Sequence, residues 1–182
     1  MRLGNTSQSW GLVARGLHWL VALLIVGQFA TGWLSETASD RDTSFTLIRN
    51  HYQFGILLIG LILMRVLWRL ANRAPGPLPG EPTWRERTAR GVHILIYVLL
   101  MLLPVTGYII WIHMKADMSV FGLFSAPRLF TPPVEDETLR AGAWYVHYFA
   151  GWTLVGLIAL HVLAALWHQF VRRNGLLRRM IG

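Results

Sequence analysis

The chain has 182 residues, of which 54% are hydrophobic and 14% are charged. Soluble domains carry about 25% charged residues, so this composition excludes an ordinary soluble domain and indicates an integral membrane protein. The net charge of +8 would suit a nucleic-acid-binding protein, but the charges stand at the edges of apolar blocks, and we expect no nucleic acid as partner. The absence of cysteine excludes disulfides and every metal site that needs a thiolate.

Apolar stretches long enough to cross a bilayer, which takes about 20 helical residues, occur four times along the chain. The first covers about residues 16–34 and carries no charge. A polar link over residues 35–49 leads to the second span, at about residues 50–70. Arg65 lies inside this second span, so we expect it to be paired or to reach the interface, where we also expect Arg69.

The second half of the chain carries two further spans. Prolines and glycines forbid a helix through the first half of the link at residues 71–90. The third span covers about residues 91–114, and we expect Pro104 to kink it. A link at residues 115–139 contains SAPRLFTPPVEDET, which predicts an irregular surface loop, and the fourth span follows at about residues 143–171.

These spans predict a single membrane domain over residues 1–182 with an all-α fold, a bundle of four transmembrane helices. Twelve of the 17 Lys and Arg residues stand on the side of the two termini, and five stand on the other side. Because cytoplasmic loops carry an excess of Lys and Arg, we expect both termini in the cytoplasm.

Seven histidines lie within or at the ends of the spans. Ionisable residues inside a membrane are costly and mark functional sites. The predicted orientation places His51 and His147 at the outer level, and His18 with either His161 or His168 at the inner level. Two imidazoles from different helices at one depth are what a six-coordinate haem iron requires. The sequence therefore predicts haem sites at two depths, which together would form an electron path across the membrane.

The alternative interpretation is that these histidines are interfacial hydrogen-bonding residues, and we interpret His113 in that way. One pattern separates four of the others, because the residue four positions further on is small. These pairs are His18 with Ala22, His51 with Gly55, His147 with Gly151, and His161 with Ala165. A flat macrocycle beside a helix needs such a gap, although glycine is also frequent in membrane helices for packing alone.

Several motifs resemble those of the bacterial cytochrome b561 proteins, which are four-helix membrane cytochromes with two haems. The motifs are RGLHWL around His18, NHYQFGI around His51, MRVLWRL with Arg65 and Arg69, VHILIYVLLMLLPVTG from His93, VHYFAGWTLVGLIALHVLAALWHQFV in the fourth span, and NGLLRRM in the tail. The spacing of fourteen residues between His147 and His161, with the additional His168, is the most specific of them. The resemblance covers nearly the whole chain.

The resemblance implies two haem b groups, with His51 and His147 as axial ligands of the outer iron and His18 and His161 as ligands of the inner iron. It also implies an oxidoreductase of the bacterial inner membrane that transfers single electrons from superoxide, or another periplasmic donor, to ubiquinone. Two alternatives remain open: an electron-transfer subunit that docks a dehydrogenase or periplasmic partner without its own turnover, and a membrane anchor whose histidines are structural.

Further residues have expected roles within this interpretation. Arg65 and Arg69 are candidate partners of haem propionates, because Arg pairs well with carboxylates, and His93 and His168 are candidates for a quinone site. Cations at the outer end would attract the superoxide anion. These cations are Lys115 and His113 with Arg49, Arg128 and Arg140, and the acidic run at residues 135–137 offsets them.

Overall fold

The structure is a computed structural model that describes residues 2–78, 80, 82–117, 119–133 and 137–181. Its long helices are α1 (Leu12–Thr37), α2 (Arg41–Ala71), α3 (Thr83–His113) and α4 (Thr138–Trp167), followed by a π-helical turn (His168–Arg172) and the short helix α5 (Arg178–Ile181). Among the described residues, four helices are long and apolar enough to cross a membrane. The prediction of a mostly helical chain with four membrane-spanning helices is confirmed.

The long helices reach beyond the apolar spans into polar sequence. Helix α2 begins at Arg41, where the Asp40 carboxylate accepts a hydrogen bond from the Thr43 backbone N–H at 2.8 Å. This hydrogen bond lowers the pKa of Asp40 from its ordinary value. Helix α3 begins directly after Pro82, whose fixed φ suits the residue that precedes a first helical turn. Hydrophobicity marks the part of each helix that faces lipid, whereas caps of this kind set where the helix begins.

A short β-hairpin in the α3–α4 link is an element that the all-α prediction missed. Strand β1 (Ser119–Val120) pairs antiparallel with β2 (Phe124–Ser125). The turn between them uses left-handed backbone at Phe121 and Gly122, with φ of 52° and 71°. Two residues per strand give too little alternation of polar and apolar side chains to be recognised from sequence. Of the loop predicted after the hairpin, residues 134–136 lie outside the described residues.

A core of apolar side chains fills the middle of the bundle. Its buried members come from all four long helices and are Val21, Leu58, Leu61, Ile62, Leu99, Leu100, Ala150 and Leu154. Many large apolar residues point away from this core, and Leu23 and Leu163 keep 69% and 61% of their surface exposed. Such a thin core with an apolar exterior is what a lipid-embedded bundle requires, because lipid tails are as apolar as leucine.

The two ends of the chain meet at the same end of the bundle. The Trp10 N–H donates to the Arg179 carbonyl at 3.3 Å, and Trp19 Nε1 donates to the Met180 carbonyl at 3.1 Å. Arg179 Nη1 also donates to the carbonyl of Gly76 in the α2–α3 link at 2.7 Å. The N-terminal segment, the α2–α3 link and the C-terminal helix therefore form one hydrogen-bonded cap.

Candidate functional site

His51 of α2 and His147 of α4 face each other near the end of the bundle where α1 meets α2. Their ring centroids are 6.0 Å apart, and the ring planes make an angle of 72°. A metal-bound imidazole nitrogen lies about 2 Å from its metal, so two rings on opposite sides of one ion have centroids about 6.4 Å apart. The two imidazoles are therefore spaced so that they would hold one metal ion between them.

A hydrogen bond fixes the tautomer of His51. Its Nδ1 lies 2.9 Å from the Gln28 carbonyl oxygen, and Gln28 Nε2 donates back to the His51 carbonyl at 3.0 Å. Because a carbonyl can only accept, Nδ1 of His51 carries the proton. The other ring nitrogen, Nε2, is then left with a free lone pair for a metal.

Thr106 of α3 fixes the tautomer of His147 in the same way, through a hydrogen bond to Nδ1. Its hydroxyl oxygen lies 3.0 Å from His147 Nδ1, and 2.9 Å and 3.1 Å from the carbonyl oxygens of Leu103 and Leu102. The hydroxyl has one proton, which it donates to these carbonyls, so it accepts from the Nδ1–H of His147. Both imidazoles of the pair thus present Nε2 in its unprotonated form.

Glycines on the neighbouring helices make room for the two imidazoles. A Cβ at Gly32 would lie 3.3 Å from His51 Cε1, and a Cβ at Gly107 would lie 3.1 Å from His147 Cε1. Both contacts are tighter than a side chain normally makes. These glycines differ from those that the sequence pattern singled out, and of those a Cβ at Gly151 would meet nothing within 4 Å.

A cavity of about 560 Å³ opens beside this pair. Both histidines line it, together with Gly151 and several aromatic residues. The aromatic members include Phe29, Trp33, Tyr52, Tyr108, Trp144, Tyr148 and Trp152. Ligand cavities measure about 300–1,000 Å³ and are mostly apolar with a few polar groups. The size of this cavity, its aromatic walls and the two unprotonated Nε2 atoms beside it fit a haem held by His51 and His147.

A second pair lies at the other end of the bundle. The ring centroids of His18 in α1 and His161 in α4 are 6.3 Å apart, with an angle of 76° between the ring planes. His93 of α3 also contacts His161, with centroids 5.2 Å apart. That distance is shorter than the roughly 6.4 Å that two ligands on opposite sides of one metal require. His18 and His161 are therefore the pair with ligand spacing, and His93 lies beside them.

His168 does not join this cluster. It opens the π-helical turn after α4, where Asn174 Nδ2 donates to His168 Nδ1 at 2.7 Å. Its ring also packs edge-on against Trp167, with centroids 5.1 Å apart. His161 therefore lies beside His18, whereas His168 makes its contacts at the end of α4.

Arg65 and Arg69 lie next to the cluster of His18, His93 and His161. Arg65 is paired: its Nε donates to the Tyr97 hydroxyl at 2.9 Å, and its Nη1 donates to the Ala14 carbonyl at 3.4 Å. Arg69 stacks on Trp10 and on Tyr97, with its guanidinium carbon 5.6 Å and 5.9 Å from the ring centroids. Both guanidinium groups therefore border the site where a carboxylate-bearing cofactor would be held.

Residues 9–182 match the family model of the prokaryotic cytochrome b561 proteins. The chain belongs to this family.

Curated relatives agree with this assignment over nine tenths or more of their length. The chain is 33% identical to cytochrome b561 homolog 2 of Escherichia coli (strain K12), over 100% of this chain and 96% of the relative. It is 28% identical to a probable superoxide oxidase CybB of Yersinia pestis, over 91% of this chain and 92% of the relative. It is 27% identical to a cytochrome b562 of Cereibacter sphaeroides, over 91% of this chain and 90% of the relative.

Membership of the cytochrome b561 family implies a bacterial membrane protein that binds haem b and transfers electrons. The imidazole pairs His51–His147 and His18–His161, at two levels of the bundle, lie at metal-ligand spacing. The sequence indicated the histidines through their depth in the predicted spans. It missed Gln28, Thr106, Gly32 and Gly107, whose shared signal is that each lies one helix away from a histidine at the same depth.

Charged residues lie at the end of the bundle that holds His51 and His147 in this cytochrome b561 chain. Arg140 lines the large cavity and forms an ion pair with Glu137. Hydrogen bonding to Arg140, with smaller effects of the charges of His113 and Lys115, lowers the pKa of Glu137. Arg128 donates to the Ala116 carbonyl at 3.0 Å. Of the acidic run, Glu135 and Asp136 lie outside the described residues.

Arg49 and His113, the other two residues that the sequence suggested as cations at this end of the bundle, differ in exposure. Arg49 is exposed on α2. His113 is buried, with 7% of its surface exposed, and its Nδ1 lies 2.8 Å from the Ile109 carbonyl. Its Nε2 has no hydrogen-bond partner among the residues that the structure describes. His113 is thus held against its own helix.

Proposed function

We propose that this chain is a di-haem cytochrome that passes single electrons across the bacterial inner membrane to ubiquinone, from superoxide or another periplasmic donor. Haem b, when bound, supplies an iron centre that takes up and releases one electron. The observation that carries the proposal is that one bundle holds two imidazole pairs at two depths, with centroid distances of 6.0 Å and 6.3 Å.

In this proposal each histidine pair holds one iron through Nε2. His51 and His147 form the outer site, where Gln28 and Thr106 keep the protons on Nδ1. Hydrogen bonds of this kind orient a metal-bound imidazole and raise its basicity, which favours the oxidised metal.

The inner site is held by His18 and His161. The alternative ligand, His168, is less favoured because its Nδ1 accepts from Asn174 and its ring lies against Trp167. We assign Arg65 and Arg69 to the carboxylates of the inner haem, since guanidinium groups bind carboxylates with good geometry. Their contacts with Tyr97 hold both guanidinium groups beside the histidine cluster.

We place both chain termini in the cytoplasm. The excess of Lys and Arg on the side of the termini supports this orientation. The cavity beside His51 and His147 then opens toward the periplasm, and the cluster of His18, His93 and His161 lies toward the cytoplasm.

Superoxide is the donor that we favour for the outer site. Arg140 at the cavity, with Lys115 nearby, gives this end cations that attract a small anion. The name of the Yersinia pestis relative, a probable superoxide oxidase, points the same way. In the overall reaction two superoxide anions lose one electron each and become dioxygen, while ubiquinone takes up two electrons and two protons.

We assign ubiquinone reduction to the inner end. His168 lies at the end of α4, where a quinone headgroup can sit in the interfacial region. Its imidazole can donate a hydrogen bond to a quinone oxygen and supply a proton. His93, which contacts His161, is the second imidazole available to that site.

A second candidate function is an electron-transfer subunit that docks a protein donor and turns over no substrate of its own. The ion pair between Arg140 and Glu137 favours it, because this pairing neutralises the cation that lines the cavity. One relative, from Cereibacter sphaeroides, is named only as a cytochrome, cytochrome b562, which is also how an electron carrier would be named.

Stopped-flow mixing of the haem-loaded, oxidised protein with superoxide distinguishes these functions. A superoxide oxidase becomes reduced at a near-diffusional rate that falls with ionic strength, whereas a carrier does not. We expect Arg140→Gln and Lys115→Gln to slow the reaction several-fold. Arg87→Gln, an equal loss of charge at the opposite end of the bundle, serves as the control. A wild-type protein that dithionite reduces and superoxide leaves oxidised would overturn the superoxide assignment.

A further inference from the structure

The chain turns sharply where α4 ends and forms a small cavity there. The π-helical turn ends at Arg172, the next residue Arg173 has a left-handed φ of 51°, and Gly175 follows with a φ of 74°. An open cavity of about 340 Å³ lies between the turn and the start of α5. Its walls are Gln169, Phe170, Arg173, Gly175 and Arg178.

The cavity is basic. Arg173 and Arg178 are both exposed, and none of the described residues that line it is acidic. Arg173 Nε donates to the Phe170 carbonyl at 3.3 Å, and within the part of the chain that the structure describes its terminal guanidinium nitrogens are left for a ligand. Two guanidinium groups at one cavity are the typical recognition chemistry for a phosphate group.

The backbone holds these two arginines in place. A left-handed φ at a residue other than glycine is uncommon and persists where its surroundings fix it. Here the backbone N–H of Arg173 bonds to the His168 carbonyl. On the other side of the cavity, α5 is tied to the bundle by the hydrogen bond from Trp19 to Met180. The position of Arg178, in the first turn of α5, follows from that tie.

An apolar surface borders the basic cavity. Phe170 and Val171 keep 68% and 66% of their surface exposed, and Leu163, earlier on α4, keeps 61%. This surface continues the lipid-facing side of α4 up to the arginines. A ligand that fits both parts has an anionic head and an apolar tail.

We propose that this cavity binds the phosphate group of an anionic phospholipid, with Arg173 and Arg178 on the phosphate and Phe170 and Val171 against the acyl chains. Basic residues at the end of a membrane helix attract anionic lipid, and each contributes about a fivefold gain in affinity. The site is separate from both histidine pairs, so the proposal does not depend on how either haem is bound or on which donor reduces the protein.

Native mass spectrometry of the haem-loaded protein in detergent, with equimolar phosphatidylglycerol and phosphatidylcholine, tests the proposal. We expect phosphatidylglycerol adducts to dominate in the wild type. The double variant Arg173→Gln with Arg178→Gln should bind phosphatidylglycerol roughly thirtyfold more weakly. The control pair, Arg2→Gln with Arg87→Gln, removes the same charge from two other exposed arginines and should change it less than about twofold.

Two results would overturn the assignment: equal adducts of both lipids in the wild type, or equal losses in the two double variants. Inorganic phosphate separates a lipid site from a free-anion site. We expect it to leave the lipid adduct in place, and displacement by millimolar phosphate would reject the lipid. The haem absorption spectrum reports whether each variant is folded. If the double variant loses that spectrum, the single variant Arg178→Gln is tested in its place. We expect its affinity for phosphatidylglycerol to fall about fivefold. A loss of affinity no larger than that of the control pair would count against the site.

Discussion

Thr106 Oγ1 lies 3.0 Å from His147 Nδ1 and joins α3 to α4 at the outer histidine pair. The same hydroxyl donates to a carbonyl of its own helix, so it is turned toward the imidazole as an acceptor. His51, by contrast, donates to the Gln28 backbone carbonyl. The outer site therefore contains one hydrogen bond that a side-chain substitution can remove and one that it cannot.

Replacing Thr106 by Val should raise the reduction potential of the outer haem. Without the acceptor the imidazole is less basic and stabilises the oxidised iron less. A hydrogen bond contributes about 0.5–1.5 kcal/mol, which for one electron corresponds to roughly 20–60 mV. Redox titration with optical detection measures the shift. Thr106→Ser keeps the hydroxyl and should leave the potential within about 10 mV of wild type. An equal shift in both variants would assign the effect to packing instead.

Gly107→Ala should weaken haem binding at the outer site. The new Cβ would lie 3.1 Å from His147 Cε1, so the imidazole must move away from its ligand position. Gly156→Ala is the matched control, since a Cβ there would meet nothing within 4 Å. We expect loss of outer-haem absorbance in Gly107→Ala with wild-type haem content in Gly156→Ala. Equal haem content in the two purified variants would contradict a close fit around His147.

Asp40 should contribute to stability in a pH-dependent way. Its pKa is lowered by the hydrogen bond from the Thr43 N–H at the start of α2. A carboxyl group with a lowered folded-state pKa stabilises the protein above its unfolded pKa, and this stabilisation is lost as the pH falls through the folded-state value. Thermal denaturation should therefore find Asp40→Asn less stable than wild type at neutral pH, with a difference that shrinks as the pH falls below the ordinary aspartate pKa of about 3.9. A difference that stays constant on acidification would exclude a role for the charge.

His161→Ala and His168→Ala should behave differently. His161 pairs with His18 at 6.3 Å, so its removal should abolish the inner haem. His168 lies beside Asn174, and its removal should leave both haems spectrally intact while slowing reoxidation by ubiquinone. Optical spectra with stopped-flow quinone kinetics measure both effects. Loss of the inner haem in His168→Ala would show that His168 is the ligand, and unchanged quinone kinetics would leave it as an interfacial residue.

The sequence predicted the helices well because hydrophobicity alone marks a lipid-facing segment. It also placed His51 and His147 at one depth, and the structure puts their rings 6.0 Å apart. It left His161 and His168 as alternatives, since seven residues along a helix return to nearly the same face.

Contacts between helices were beyond the reach of the sequence. The positions of Gly32 against His51 and of Thr106 against His147 depend on how each helix is rotated about its axis. Hydrophobicity does not specify that rotation when the outside of the bundle is as apolar as its core. The hairpin at Ser119–Val120 and Phe124–Ser125 escaped prediction for a different reason, because its strands are too short to show a period.

The central claim is that one chain binds two haems, each between a pair of histidines from different helices. The most direct measurement is the pyridine haemochrome of the purified protein relative to its amino-acid content, in wild type and in His147→Ala. We expect about two haems per wild-type chain, and about one in the variant, with the inner haem spectrum retained. A wild-type ratio near one, or complete loss of haem in a folded His147→Ala protein, would contradict two independent sites.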